Sequence, residues 1–71
     1  MNINIRDYIK NNFKDSSIEE LKDSILSSIE SNDEVVLPGM GVLFEILWNQ
    51  SSDDLRNNIL NILYENMKKN N

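Results

Sequence analysis

The segment from Val42 to Trp48 constrains this chain most, because six of its seven residues are large and apolar in a sequence of only 71. On a helix, Val42, Leu43, Phe44, Ile46, Leu47 and Trp48 cover about 240° of the circumference. Glu45 and Asn49 share the strip that remains. A helix this apolar does not rest on a surface with only one side covered. It requires a central position, wrapped by the rest of the chain or by a second copy of it.

The chain makes one domain, residues 1–71, near the lower size limit for an autonomous hydrophobic core. Small domains need a stabilising device such as disulfides, a metal or oligomerisation. With no cysteine and no histidine, disulfides and the usual metal ligands are excluded. Well-packed helices or self-association remain. The net charge is −5, which opposes nucleic acid and anionic membranes overall. The charge is uneven. Arg6, Lys10 and Lys14 outnumber Asp7 at the N-terminus, whereas from Asp15 to Glu34 seven acids face only Lys22. The first residues lack the hydrophobic core of a signal peptide, and the run at 42–48 is too short to span a bilayer. The expectation is a soluble protein inside a cell.

Apolar periodicity divides the chain into four helical segments. Ile5, Ile9 and Phe13 recur every four residues over 4–13, with Asn2 or Asn4 as cap. Ser17 followed by Glu20 is a capping box that opens the second helix, whose stripe is Ile18, Leu21, Ile25 and Ile29, widened by Leu26. That helix ends near Ser31 or Asn32. Leu37-Pro38-Gly39 reads as a rigid corner delivering the chain into a third helix that starts at Gly39–Gly41 and ends near Gln50. Ser51 or Ser52 caps the fourth, with Asp53 and Asp54 favourable in its first turn and Lys68 and Lys69 at its end. Two adjoining stripes on this fourth helix, Leu55/Ile59/Ile62/Leu63 and Leu60/Tyr64/Met67, give an apolar arc of about 200°. Either the helix packs centrally against all three others, or Leu60, Tyr64 and Met67 meet another chain. The fold expected is all-α, a compact bundle of four short helices with the apolar helix at about 41–50 in its centre.

A search for catalytic chemistry returns negatives. No histidine is present to activate any of the eight serines. Glu19/Glu20 and Asp53/Asp54 sit at helix starts, where capping accounts for them. A calcium loop from Asp33 would place Val35, Leu37 and Phe44 at positions that need oxygen ligands. Gly39-Met40-Gly41 lacks the preceding strand and the following lysine of a phosphate loop, and it reads as a tight corner whose glycines let backbones approach. No catalytic residue, cofactor, metal or small-molecule substrate is expected. Glu45 is expected to point outward beside Asn49, the alternative being a pair with Arg6 or Arg56. Trp48 reads as core, although a lone tryptophan can anchor a partner. Arg6, Lys10 and Lys14 form a row that could track phosphates, but three cations make a thin footprint, and the acidic second helix can neutralise them within the fold.

Leu37-Pro-Gly-Met-Gly-Val-Leu-Phe-Glu-Ile-Leu-Trp48 resembles the signature of the minor small acid-soluble spore proteins of the I type from endospore-forming bacteria, approximately Leu-Pro-Gly-Leu-Gly-Val-Leu-Phe-Glu-Val-Ile-Trp. On that resemblance Leu37, Pro38, Gly39, Gly41, Val42, Leu43, Phe44, Glu45 and Trp48 are the signature residues, and Met40, Ile46 and Leu47 are conservative departures. Asn2–Arg6, Ser17–Ile29 and Ser51–Met67 also resemble the corresponding parts of the family. The loop around Phe13–Ser17 and the Lys-Lys-Asn-Asn ending depart from it. The resemblance implies a non-enzymatic protein made late in sporulation and located in the spore core, that is, the forespore cytoplasm. Its partners would be other spore-core components or a second copy through the fourth helix. It leaves open a packing role, an amino-acid store or an accessory role at the nucleoid. The DNA-saturating spore proteins are a separate group with different glycine and lysine motifs, and their DNA binding is not carried over. Two further readings stay open: a helical adaptor binding through Leu60, Tyr64, Met67 or Trp48, and a nucleic-acid binder using Arg6, Lys10 and Lys14.

Overall fold

Local hydrogen bonds between neighbouring residues set where each helix begins. The computed structural model describes residues 4–69; the Asn2 cap and the family-like Asn2-Ile3 lie outside that range. Asn4 accepts from the Asp7 N–H and opens α1, Ile5–Phe13. The capping box is formed in full: the Glu20 N–H donates to Ser17 Oγ at 3.1 Å, and the Ser17 N–H donates to Glu20 Oε1 at 2.8 Å. Two otherwise orphaned donors are thereby satisfied, and α2 runs from Ile18 to Ser31. Asn32 closes it in the left-handed conformation, φ 54°, which asparagine tolerates better than most residues. After a single 3-10 turn at Glu34–Val36, initiated by the Asp33 carboxylate on the Val35 N–H, come α3, Leu37–Gln50, and α4, Asp53–Lys69. Ser52 Oγ accepts from the Leu55 N–H, and Asp53 and Asp54 occupy the first turn of α4. All four helices are present, and among the described residues there is no strand.

The chief difference from expectation is at Leu37–Gly41, which is the first turn of α3 and not a corner. The change of direction lies upstream, in Asn32–Val36. Leu37 is helical, and its N–H donates to Glu34 O, so the 3-10 turn feeds straight into the helix. Pro38 falls within the first turn, where its missing N–H costs nothing. Neither Gly39 nor Gly41 has a positive φ, so the glycines form no phosphate-cradling loop. The close backbone approach expected at the two glycines is not what they meet: Gly39 faces a side-chain methyl, and Gly41 faces open space. A β-carbon at Gly39 would stand 3.3 Å from Ile9 Cδ1, whereas one at Gly41 would meet nothing within 4 Å.

Helix α3 is the element around which the others are arranged, with α1 and the 3-10 turn nearest to it. Val42, 8% exposed, is the buried residue of the core among those described. Leu43, Ile46, Trp48 and Met40 are half-buried around it, while Leu37, Phe44 and Leu47 remain exposed. The covering face of α2 is rotated from the expected stripe. Leu21 and Ile25 are half-buried together with Ser24 and Ser28, while Ile18 and Ile29 face out. The two small serines line, with Ile9, Phe13 and Leu43, the space where α1, α2 and α3 converge. The central packing considered for α4 is overturned: none of its residues is buried, and only Arg56 and Ile59 are half-buried.

Candidate functional site

The signature residues of α3 do three different things. Val42 fills the core and Leu43 supports it. Gly39 leaves room for the tip of Ile9 on α1. Gly41, Phe44 and Trp48 face Leu60 and Leu63 of α4 across an open groove, while Leu37 lies exposed beside the end of α2. Phe44 and Trp48, one turn apart, stack with ring centroids 6.1 Å apart and planes 29° from parallel.

Arg56 joins this face to α4. Its guanidinium carbon lies 5.2 Å from the centre of the Trp48 ring, and its Nε donates to Trp48 O at 2.9 Å. A cation thus stacks on the aromatic ring while satisfying a carbonyl at the end of α3, where the helix dipole is negative. Sequence reasoning considered Arg56 only as a partner for Glu45 and missed this role. The available signal was a cation a few residues beyond the end of a helix bearing a tryptophan in its last turn.

Glu45 does not stand free on a polar strip. Arg6 Nε donates to its Oε1 at 2.6 Å and Nη2 to its Oε2 at 2.9 Å, a bidentate pair bridging α1 and α3. The hydrogen bond from Arg6 lowers the Glu45 carboxyl below the usual carboxylate range; partial desolvation opposes this, and the charges of Arg6 and Lys10 add to it. The same bond raises the already very high value of Arg6. Because Glu45 titrates lower when folded, the pair contributes stability that is present above the unfolded carboxylate range and lost as pH falls through the folded value. The matching loss at Arg6 lies at strongly alkaline pH. The melting-temperature gap between wild type and Glu45→Gln is therefore expected to be full at neutral pH and to close in acid, as pH falls below the usual carboxylate range. A gap that persists in acid would show that the bridge owes its effect to something other than ionisation.

The pair also changes the basic row. Arg6 is committed to Glu45, so the row that could track phosphates is reduced to Lys10 on α1 and Lys14 just beyond its end, both exposed. On α4, Leu60, Tyr64 and Met67 are all exposed, Met67 at 70%, and the Lys68 ammonium lies 4.9 Å from the Tyr64 ring centre. Phe44 and Trp48 on one side and Leu60 and Leu63 on the other wall an open groove of about 390 Å³ with Gly41 in its lining. Among the described residues there is no cluster of three or more potential metal ligands, and no helix is long and apolar enough to cross a membrane.

Comparison with known proteins places these features in a family. The family described as small, acid-soluble spore protein I matches residues 3–67, from the start of α1 to near the end of α4. A protein of that name from Bacillus velezensis is 37% identical over 68 residues, covering 96% of this chain and 96% of its own length. Its namesake from Bacillus cytotoxicus is 34% identical over 68 residues, covering 96% and 97%. The one from Bacillus mycoides is 33% identical over 69 residues, covering 97% of this chain and all of its own. No solved structure matches the chain significantly. With a family match across all four helices and relatives aligned nearly end to end, the chain belongs to the small, acid-soluble spore protein I family.

Proposed function

We propose that this protein is a non-catalytic component of the spore core, made for sporulation and acting through its surfaces. The observation that carries the reading is the family match over residues 3–67, which runs from before α1 into the last turn of α4 and includes the signature on α3. The chemistry of the surfaces agrees with it: their polar side chains serve as helix caps, as the Arg6–Glu45 bridge and as the Arg56 clamp. A role as an adaptor within the core draws on the same exposed apolar residues. The nucleic-acid reading is weakened by the engagement of Arg6.

The test is quantitative detection of the protein in growing cells and in fractionated spores of the source organism. It is expected in the core fraction of mature spores and absent from growing cells. Abundance during growth, or recovery with the outer spore layers, would overturn the proposal.

A further inference from the structure

Gly41 is the residue that the isolated fold leaves unexplained. It lies inside α3 with a negative φ, and a β-carbon there would meet nothing within 4 Å. Nothing among the described residues requires glycine at this position, and glycine weakens a helix relative to alanine. The groove it lines is walled by Phe44, Trp48, Leu60 and Leu63, and Phe44, Leu60 and Leu63 are each more than 40% exposed. A bare glycine among exposed apolar side chains suits a helix face against which another backbone packs closely.

The whole chain leaves open more surface than a compact monomer of its mass. A folded monomer of 8.3 kDa exposes about 4,600 Å². This chain exposes 6338 Å², an excess of roughly 1,800 Å². Stable interfaces of ordinary size take about 800 Å² from each partner, and obligate homodimers take more. A second body seated on this face would cover the share of that excess carried by Phe44, Leu60 and Leu63.

The charges of α4 select a copy of the same chain as that body. Asp53 and Asp54 lie in its first turn, and Lys68 and Lys69 in its last. A two-fold axis near Leu60 sets the two α4 helices antiparallel, brings each acidic end to the partner's basic end and opposes the two helix dipoles. It also brings Leu60 beside its own counterpart. We propose that the α3–α4 face bearing Gly41 and Leu60 is a two-fold interface on which a second copy of this chain seats, its α4 antiparallel to the first. The inference does not depend on where the protein resides.

Sedimentation velocity of the full chain from about 1 to 200 µM is the test. A species of about 17 kDa is expected, twice the mass of one chain. Leu60→Asp is expected to weaken the dimer about thirty-fold or more. Gly41→Leu is expected to weaken it similarly, since it fills the space a partner backbone needs. Gly41→Ala is the milder variant that the isolated fold accommodates, and it too is expected to weaken association while raising helicity. Reversing Asp53 and Asp54 to lysine should weaken association, and reversing Lys68 and Lys69 to glutamate in the same chain should restore it. A monomer throughout would overturn the proposal, as would a dimer indifferent to Gly41 and Leu60. Failure of the double reversal to restore association would overturn the antiparallel arrangement.

Discussion

Val42→Ala is expected to destabilise the fold by about 2 kcal/mol and to lower the melting temperature by roughly 10 °C. Val42 is the residue of α3 that is most fully removed from water, and its truncation loses apolar burial and leaves a gap that neighbours fill only in part. A chain of this length has a total stability of about 4–10 kcal/mol, so the loss is a large share of the whole. Leu47→Ala is the control. Leu47 is 47% exposed and should cost less than about 1 kcal/mol despite removing a larger side chain. Equal losses at the two positions, measured by urea and thermal unfolding, would mean that Leu47 is covered in solution.

The second large effect is expected at Arg56, where alanine should cost about 2 kcal/mol by removing a charged hydrogen bond to a helix-terminal carbonyl and a cation–π contact together. Trp48, the lone tryptophan of the chain, reports the change directly. Its emission should shift to the red in the folded state as the guanidinium cover is lost. Arg56→Lys should recover only part of the stability, because an ammonium keeps the charge near the end of α3 but loses the planar stacking and the fork of donors. Unchanged stability and emission in Arg56→Ala would show that α4 is held to α3 by contacts other than this clamp.

Both predictions concern side chains whose roles differ in how well the sequence exposes them. That α3 would hold the core residue followed from the run Val42–Trp48 alone, because no other segment is apolar over so wide an arc. Which of its residues would be covered did not follow: apolarity on nearly every side gives no preferred face, and Val42 was indistinguishable from Phe44 or Leu47. The same difficulty applies to the glycines. Gly39 and Gly41 are equivalent by spacing, and only the position of α1 separates the one against Ile9 from the one left bare. The polar strip it shares with Asn49 points Glu45 outward on sequence grounds. Its partner Arg6 lies 39 residues away, and nothing local identifies it.

By itself the sequence determined the all-α class, the four helices, the Ser17–Glu20 capping box, the acidic start and basic end of α4, and the family signature. The helices and their caps rest on side chains three or four residues apart, whose geometry is complete once a single turn of helix forms, whereas the signature rests on resemblance to known proteins. Only the tertiary structure decided the start of α3 at Leu37, the rotation of α2 onto Ser24 and Ser28, the Arg6–Glu45 bridge, the Arg56 clamp and the open face around Gly41. Each of these depends on how helices are rotated and placed against one another. That placement is set by packing over the whole chain, in which many weak contacts between distant residues compete and no short stretch of sequence specifies the outcome.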